Sequence, residues 1–367
     1  MAPGRVVVVG AGIIGTMHAW TARRLGYDVV HLDRDLEARR ASVRNFGLIW
    51  VGGRAGGSEL DLALRSRSLW DEVAADVPEV GLRPNGSLTM AATPEEMAVL
   101  EEAAARSDAG LRGWELLTPD EARARNPALA GQMVAALWCR ADAAVEPRRA
   151  ASAIRARLMA SDGYQWLGGR AVMELQGAGV RDQTGAWHHA DRVILCPGAS
   201  DVGLGAELSA GAPLRRVRLQ MMQTAACSSM VTTSVADGDS LRYYPAYDVP
   251  SRSNLPPQSE LAASSRMQLL MVQRLDGSLT IGDTHQYEEP FGFDLPEDVY
   301  EELGHRAAGV LGGPLPPIVR RWAGVYSEVT DGSLYLRRQV GEGAVLVTGP
   351  GGRGMTMSAA IAEETFK

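Results

Sequence analysis

Residues 5–15 read RVVVVGAGIIG, so four valines lead directly into a Gly-x-Gly-x-x-Gly motif. Consecutive β-branched residues are typical of a parallel strand buried on both faces, and the helical composition that follows ends at Gly26, a residue type common at helix C-caps. The pattern predicts a strand, a tight turn and a helix. In such a unit Gly10 permits the turn, Gly12 lets a pyrophosphate approach the backbone, and Gly15 lets the helix pack closely on the strand.

A second predicted strand at residues 27–32 ends at Asp33, whose carboxylate is placed to bind a ribose diol and disfavours a 2'-phosphate. Glycine-rich turns also occur without a ligand, but here strand, turn, helix, strand and acid follow in order. The segment therefore predicts dinucleotide binding, and both NAD and FAD are open at this point. The candidate contacts are Gly10, Gly12, Ile13, Ile14, Gly15, Asp33 and Arg34.

Composition narrows the class of protein. The 367 residues suffice for two domains, and 46% hydrophobic residues are typical of a globular chain. The net charge of -7 argues against nucleic acid and anionic membranes as partners. Apolar runs are too short to span a bilayer and no leader precedes the first strand, so we expect a cytoplasmic protein. The three cysteines form no Cys-x-x-Cys pair, and neither a metal site nor a disulfide is predicted.

Polar residues give way abruptly to apolar ones in residues 36–50. The polar part offers hydrogen-bond donors to a pyrophosphate, and residues 46–49 suit contact with a flat apolar group. The Ala-Ser-x-Arg-Asn-x-Gly pattern at residues 41–47, after the N-terminal motif, resembles the D-amino acid oxidase, glycine oxidase and sarcosine oxidase superfamily of FAD-dependent amine oxidoreductases. The resemblance implies FAD rather than NAD, with this segment under the flavin. The implied contacts are Ser42, Arg44, Asn45, Phe46, Gly47 and Leu48.

The middle of the sequence predicts a helical part followed by a part made of short strands. Helical spacing covers residues 60–75, and capping boxes start helices at Thr93 and Thr118. From residue 213 to 282, short strands alternate with turn signals, among them a strand at residues 241–245. The polar residues 249–265 read as a surface loop or lid.

The resemblance implies the fold class: α/β plus β, with a Rossmann-type FAD-binding domain and an antiparallel-sheet substrate domain. The FAD-binding domain is expected to be discontinuous, and the substrate domain inserted into it. Val172 is then expected to contact adenine through its backbone, and Gly198 to lie near the pyrophosphate. The expected ranges are 1–80, 145–205 and 325–367 for the FAD-binding domain and 81–144 and 206–324 for the substrate domain.

Residues 341–358 predict a buried strand, a glycine-rich turn and a helix start, whose backbone donors suit the electron-rich pyrimidine end of a reduced flavin. Together with the two earlier segments this turn completes an FAD signature. The expected contacts are Gly349, Gly351, Gly352, Arg353, Gly354, Met355 and Thr356.

His285 follows a predicted strand, and a lone histidine there is more often structural than catalytic. In sarcosine oxidase-like proteins a histidine at the corresponding strand end faces the flavin, which makes His285 the first catalytic candidate, with Asp283 as an orienting partner. Tyr326 stands where glycine oxidase-like proteins have an arginine that binds the amino acid carboxylate, and Tyr244 is a third candidate for positioning substrate. Gly324 stands where monomeric sarcosine oxidases have the flavin-linked cysteine, so non-covalent FAD is expected.

Two lysines of the resembled enzymes are replaced by Thr280, which leaves O2 or another electron acceptor open, and by Thr356, which removes a carboxylate anchor. The motifs at residues 42–47 and 282–285 resemble a branch associated with phosphonate metabolism. That resemblance implies an aminoalkylphosphonate substrate, with or without an N-methyl group. A phosphonate needs cationic partners, for which the candidates are Arg242, Arg337, Arg338 and Arg353.

The predicted function is oxidation of a carbon–nitrogen bond in a small amine, with hydride passing from the carbon next to a neutral amine to the flavin N5 and hydrolysis of the imine. Three alternatives stay open. They are an NAD-linked dehydrogenase, an amino acid or N-methyl amino acid oxidase or dehydrogenase of unusual substrate, and a non-catalytic flavin-binding subunit. The oligomeric state is open as well.

Overall fold

The structure is a computed structural model that describes residues 4–367. Its strands, numbered in chain order, are β1 Arg5–Val9, β2 Asp28–Asp33, β3 Leu48–Ile49, β4 Ser87–Ala91, β5 Trp114–Leu117, β6 Ala135–Cys139, β7 Ala143–Ala144, β8 Tyr164–Gly168, β9 Val172–Gln176, β10 Gly179–Asp182, β11 Trp187–His189, β12 Arg192–Leu195, β13 Leu214–Ala226, β14 Ser234–Ala236, β15 Leu270–Gln273, β16 Ser278–Gly282, β17 Ile318–Val329, β18 Leu336–Gly341 and β19 Ala344–Thr348.

The α-helices are α1 Ile13–Arg24, α2 Ser58–Asp76, α3 Pro94–Ala104, α4 Ala109–Arg112, α5 Pro119–Arg125, α6 Pro147–Met159, α7 Leu204–Ser209, α8 Ser240–Tyr243, α9 Glu260–Ser264, α10 Glu297–Leu311 and α11 Gly354–Phe366. Short 3-10 helices cover Ala41–Val43, Pro78–Val80, Pro245–Tyr247, Pro250–Asn254 and Gly351–Arg353. Within residues 4–367, no helix combines the length and the apolar character that crossing a membrane requires.

The first large sheet has six strands in the order β18-β19-β12-β1-β2-β8, parallel except for the antiparallel pair β18–β19. The valines of β1 explain why this sheet is buried on both faces. Val6 and Val8 pack with the helices α1, α2, α6 and α11, whereas Val7 packs on the other face, where the three-stranded sheet β11-β10-β9 contributes Val180. The Rossmann-type expectation for this part of the chain is confirmed.

Close approach of backbone to backbone fixes the turn between β1 and α1. Gly10 has φ +104°, which favours glycine, and a Cβ on Gly15 would lie 1.8 Å from the Gly10 carbonyl oxygen. At the other end Gly26 has φ +88°, and the Tyr27 N–H donates to the Ala22 carbonyl at 3.0 Å, as in a Schellman cap. The strand–turn–helix read from the sequence is confirmed.

The second large sheet has eight strands in the order β17-β13-β16-β15-β14-β4-β6-β5. It is antiparallel, as expected, except for one parallel pair, β14–β4. The helix α10 covers one face by packing against apolar residues of β15 and β16. The opposite face turns toward the first sheet, so that the space between the two sheets is open to a ligand.

Local signals in the middle of the chain are confirmed where they rest on helix capping. The Thr93 and Thr118 side chains each accept a hydrogen bond from the backbone N–H of the glutamate three residues on. The side chain of that glutamate accepts a hydrogen bond from the backbone N–H of the threonine. The strand predicted at residues 241–245 is wrong. The Tyr244 N–H donates to the Ser240 carbonyl at 3.1 Å, which makes a helical turn, and Pro245 has no N–H to give to a sheet ladder.

Candidate functional site

A cavity of about 360 Å³ lies between the two large sheets, and both sheets contribute to its wall. It gathers most of the residues that the sequence singled out. Those in the wall are Gly12, Ile13, Ile14, Gly15, Ser42, Arg44, Asn45, Phe46, Leu48, Gly198, Gly351, Gly352, Arg353, Gly354, Met355, Tyr244, His285 and Tyr326. Outside the wall are Gly10, Asp33, Arg34, Gly47, Val172, Gly349 and Thr356.

One end of the cavity is the N-terminus of α1, which begins without a side-chain cap. The Ile13 N–H points out of the helix and donates to Ser42 Oγ at 2.8 Å. A Cβ on Gly12 would project toward the same hydroxyl, at 3.1 Å. A helix N-terminus that has no side-chain cap, and that has a glycine and a hydroxyl group beside it, is suited to bind a pyrophosphate.

Asp33 lies behind this helix N-terminus at the end of β2. Its carboxylate accepts hydrogen bonds from the Ala11 N–H at 2.5 Å and the Asp35 N–H at 2.8 Å, and burial raises its pKa. Asn45 serves the loop itself, since its side chain donates to the Ala41 carbonyl and accepts from the Gly47 N–H, both at 2.7 Å.

The opposite end is the N-terminus of α11, where the glycine-rich turn enters the helix. Gly351 has φ +62°, and the nearest atoms to a Cβ on Gly352 would be the hydroxyls of Tyr326 and Tyr243, at 3.8 and 3.9 Å. The positive end of a helix suits an electron-rich ring edge. The two helix termini and the apolar segment between them therefore fit FAD.

Thr356 has a structural role that the sequence did not suggest. Its hydroxyl accepts from the Trp50 N–H at 2.9 Å and lies 3.4 Å from the Leu48 carbonyl, so it ties α11 to the segment after β3. Thr280, the other position where the resembled enzymes have a lysine, is buried in β16 outside the cavity wall. Neither position presents a side chain to the cavity.

His285 is 2% exposed and is held in one orientation. Its Nδ1 lies 3.1 Å from the Arg266 carbonyl, which only accepts, so a neutral ring carries its proton on Nδ1 and keeps Nε2 as an acceptor. The Tyr243 ring stacks on it with centroids 4.2 Å apart. Asp283 was expected to orient this histidine, and that is wrong, because the backbone of Arg266 does so.

Three tyrosines complete the aromatic wall. The Tyr244 ring packs against Trp50 at 5.5 Å, and its hydroxyl accepts from Gln268 Nε2 at 3.4 Å. The Tyr326 hydroxyl is buried, and no partner for it exists within the described part of the chain. Burial raises the pKa of Tyr243, Tyr244 and Tyr326, so all three are neutral phenols that can donate a hydrogen bond.

Two arginines near the glycine-rich turn before α11 share a single carboxylate. Arg54 and Arg353 each lie close to Glu59 Oε1, with nearest nitrogens at 3.7 and 3.8 Å. Their Nε atoms are already used, since Arg54 donates to the Trp50 carbonyl and Arg353 to the Pro350 carbonyl. The cluster carries one net positive charge beside the cavity and can receive an anion.

A second charged pair lies at the rim. Arg215 donates to the Glu328 carboxylate and stacks on the Tyr287 ring, with its guanidinium carbon 3.8 Å from the ring centroid. Three of the arginines proposed from the sequence lie elsewhere: Arg242 bonds Asp239, Arg337 the Glu364 carbonyl, and Arg338 the Ala210 carbonyl.

Sequence reasoning missed several residues of the wall. Tyr243 was not predicted as a site residue. In the strand expected at residues 241–245, adjacent side chains would point to opposite faces, and only one of the two tyrosines could reach the cavity. Arg54, Glu59 and Arg215 belong to no motif, and only the fold brings them to the site. The missed residues are Trp50, Arg54, Glu59, Arg215, Tyr243, Gln268, Tyr287 and Glu328.

The chain is similar to several known proteins. The model of the family described as FAD dependent oxidoreductase (DAO) matches residues 5–367. The chain is 29% identical over 154 residues to an opine oxidase subunit from Rhizobium meliloti and 24% identical over 240 residues to an opine oxidase subunit from Agrobacterium tumefaciens. These alignments cover 37% and 60% of this chain, but only 40% and 62% of the two relatives.

Among solved structures, glycine oxidase from Geobacillus kaustophilus superimposes with a TM-score of 0.77 at 21% identity, covering 99% of this chain and 93% of that chain. At this level of identity the likeness concerns the fold.

Proposed function

The chain belongs to the FAD-dependent oxidoreductase family, and from this membership we propose that it oxidises a carbon–nitrogen bond in a small amine that also carries an anionic group. The family supplies the cofactor and the redox chemistry. The choice of an anionic amine rests on the cavity, in which Arg54 and Arg353 share one carboxylate opposite a wall of neutral aromatic side chains.

We propose that the cofactor is held without a covalent bond, by the α1 N-terminus and Ser42 at its pyrophosphate and by residues 351–354 at the pyrimidine ring. When bound, FAD supplies an acceptor for the hydrogen and two electrons of the carbon next to the substrate nitrogen. The chain's own residues then have to bind the amine, orient it and exclude water. His285 and Tyr244 are 2% and 6% exposed, which supports a dry, preorganised wall.

The proposal depends mainly on the cluster of Arg54, Arg353 and Glu59, which we call the anion subsite. Arg54 is 6% exposed and Glu59 7%, so the cluster lies in a medium where an unneutralised positive charge is costly. A phosphonate or carboxylate of the substrate would neutralise it and receive hydrogen bonds from the guanidinium Nη atoms. Anion recognition there needs neither Tyr326 nor Thr356, the positions where the resembled enzymes bind a carboxylate.

Two kinds of anionic amine are candidates. The motifs at residues 42–47 and 282–285 favour an aminoalkylphosphonate. The two relatives named as opine oxidase subunits favour an opine, a secondary amine that carries carboxylates. Both kinds share an amine nitrogen and an anion a few bonds away, which is the chemistry that the cavity offers to bind.

An alternative is a flavin-binding subunit without turnover of its own, since the name of both relatives denotes one subunit of an assembly. This alternative and the proposal differ in one observable. An active chain transfers electrons from an amine to its flavin without help, whereas a non-catalytic subunit does not.

The test is a visible spectrum of the FAD-loaded protein under nitrogen, before and after addition of N-methyl-2-aminoethylphosphonate, octopine, iminodiacetate, sarcosine or glycine. We expect bleaching of the oxidised flavin band by one of the anionic secondary amines. Recovery of the band in air identifies O2 as an acceptor. If none of the compounds bleaches the flavin, the non-catalytic alternative replaces the proposal.

The anion subsite is tested with Arg353→Gln against Arg337→Gln, a matched change on β18 outside the cavity. We expect R353Q to raise the substrate Kd about tenfold or more, the loss of a charge-assisted hydrogen bond, and R337Q to leave it within about twofold. Equal effects of the two variants would contradict the assignment.

A further inference from the structure

The Asp283 carboxylate belongs to the cavity wall. The residue follows β16, is 5% exposed, and is fixed by two backbone hydrogen bonds to Gln268: its N–H donates to the Gln268 carbonyl at 2.9 Å, and its carbonyl accepts from the Gln268 N–H at 3.1 Å. The side chain accepts from Gln268 Nε2 at 3.2 Å through Oδ1. The carboxylate is therefore held rigidly at the cavity wall.

Its charge has no counterpart in the protein. The two other carboxylates of the wall are paired, Glu59 with two arginines and Glu328 with Arg215. Within residues 4–367 no cationic nitrogen lies within 4.0 Å of the Asp283 carboxylate. The titratable groups that face it are His285 from its own segment, Tyr243 at the end of α8, Tyr244 after that helix, Tyr287, and Tyr326 of β17.

Burial of an unpaired carboxylate is unfavourable, and accordingly desolvation raises the pKa of Asp283. A protein keeps such a group at a cavity wall at a cost in stability. A cation that enters the cavity with the substrate removes that cost.

We propose that Asp283 binds the ammonium group of the substrate and accepts its proton. This inference rests on the proposed function, because it assumes an amine in the cavity. In the step, one N–H bond of the protonated amine breaks and an O–H bond forms on Asp283. The ammonium becomes a neutral amine with a free electron pair, and the carboxylate becomes a carboxylic acid, so the total charge of the cavity does not change.

Tyr244 relates this subsite to the anion subsite. Its hydroxyl receives the hydrogen bond of the same Gln268 amide nitrogen that holds Asp283, and its ring lies 5.8 Å from the Arg54 guanidinium carbon. Amine and anion of one substrate would therefore bind on either side of this tyrosine, which sets the distance between them.

The test compares amines with thioethers of the same shape, in which sulfur replaces the nitrogen. The pairs are sarcosine with methylthioacetate, and N-methyl-2-aminoethylphosphonate with 2-(methylthio)ethylphosphonate. Calorimetric titration under nitrogen uses the dithionite-reduced, FAD-loaded protein, which cannot take further electrons and so reports binding without turnover. The variants are Asp283→Asn and, as control, Glu288→Gln on the exposed surface nearby.

We expect D283N to weaken binding of the amine of a pair about tenfold or more at pH 7, as for loss of a buried charged hydrogen bond, and binding of the thioether by less than about twofold. E288Q should change neither. Amine and thioether weakened equally by D283N, or an amine unaffected by it, would overturn the assignment.

Two further measurements keep the test clear. Asparagine is isosteric with aspartate and retains an oxygen for the Gln268 amide, so FAD content and the melting temperature should not fall in D283N. With a substrate that reduces the flavin, the reduction rate of D283N should rise with pH up to the solution pKa of the amine, whereas the wild-type rate should level off at lower pH. Failure of every amine to bleach the flavin would reject the proposed function, while the binding comparison still decides the role of Asp283.

Discussion

His285 shows how a single residue gains a function from its surroundings. The Arg266 carbonyl accepts from Nδ1, the Tyr243 ring fixes the ring plane, and Nε2 is left as an acceptor at the cavity wall. We expect His285→Ala to lower the rate of anaerobic flavin reduction about tenfold or more, the worth of one well-placed hydrogen bond, while the FAD content stays that of the wild type. Stopped-flow reduction and the flavin-to-protein absorbance ratio measure the two quantities.

His305→Ala is the matched control, since His305 is exposed on α10 and lies outside the cavity wall. An unchanged rate in H285A, or loss of FAD together with the rate, would remove His285 from the reacting site.

At the scale of single residues, the sequence predicted the positions that a motif marks and missed those that only folding assembles. Gly12, Ser42 and Gly352 belong to local patterns and lie in the wall. Glu59 was missed although its partner Arg353 was a candidate, because the two lie far apart in the sequence and no spacing rule joins them. Asp283 was singled out as a partner of His285, but the imidazole donates to the Arg266 carbonyl instead, a contact that no sequence pattern marks.

Two glycines of the motif between β1 and α1 are needed for different reasons, Gly15 for packing and Gly12 for binding. A Cβ on Gly15 would lie 1.8 Å from the Gly10 carbonyl oxygen, so strand and helix would have to separate. A Cβ on Gly12 would meet only Ser42 Oγ at 3.1 Å, at the place where we expect the pyrophosphate. We expect Gly15→Ala to lower the free energy of unfolding by about 3 kcal/mol, a typical cost of overpacking, and Gly12→Ala to change the apoprotein by less than about 1 kcal/mol.

The affinity for FAD should also distinguish the two variants, because here we expect the effect in G12A. G12A should lose FAD while its apoprotein melts as the wild type does, which urea unfolding and fluorescence titration with FAD measure. If G12A binds FAD normally, the pyrophosphate does not approach the backbone at this glycine.

Elements were predictable from the sequence where their signals are local. Both capping boxes, the C-cap at Gly26 and the strand of four valines depend on neighbours within one turn or strand, and all are as predicted. Residues 241–245 have the apolar and aromatic content of a strand, but a helical turn that starts at Ser240 and a proline that cannot donate decide their conformation. The parallel pair β14–β4 joins residues far apart in sequence, and no local signal announces it.

The whole molecule is joined across the cavity by the extended segment around β3. Leu48 and Trp50 pack with the eight-stranded sheet, whereas Ile49 and Val51 pack with the helices of the six-stranded sheet. We propose the two-domain division expected from the sequence, with residues 1–80, 145–205 and 325–367 in the FAD-binding domain and 81–144 and 206–324 in the substrate domain. Membership of the sheets supports it, although β17 runs across residue 325 and residues 1–3 lie outside the described part.

Global stability should depend on pH through a carboxyl that is not part of the cavity wall. Asp237, next to β14, is raised to a pKa of about 7 by burial and by neighbouring Asp239, against the attraction of Arg306. Its carboxylate also accepts from the Leu269 N–H at 3.1 Å, and Glu96 adds negative charge nearby. Between about pH 4 and pH 7 the folded chain keeps a proton here that the unfolded chain, with a pKa of 3.8, has lost. The group therefore makes the free energy of unfolding fall as pH rises through this window.

Asp237→Asn removes that proton from the balance, and Arg306 keeps its pairing with Asp239 and Glu302. The free energy of unfolding of D237N, minus that of the wild type, should then rise with pH by about 1.4 kcal/mol per unit within the window. Urea unfolding of the FAD-loaded proteins at pH 5, 6, 7 and 8 measures this difference, with Asp120→Asn on the surface as control. A difference that is flat, or that falls with pH, would mean that Asp237 is ionised in the folded protein throughout, and that Arg306 outweighs both burial and Asp239.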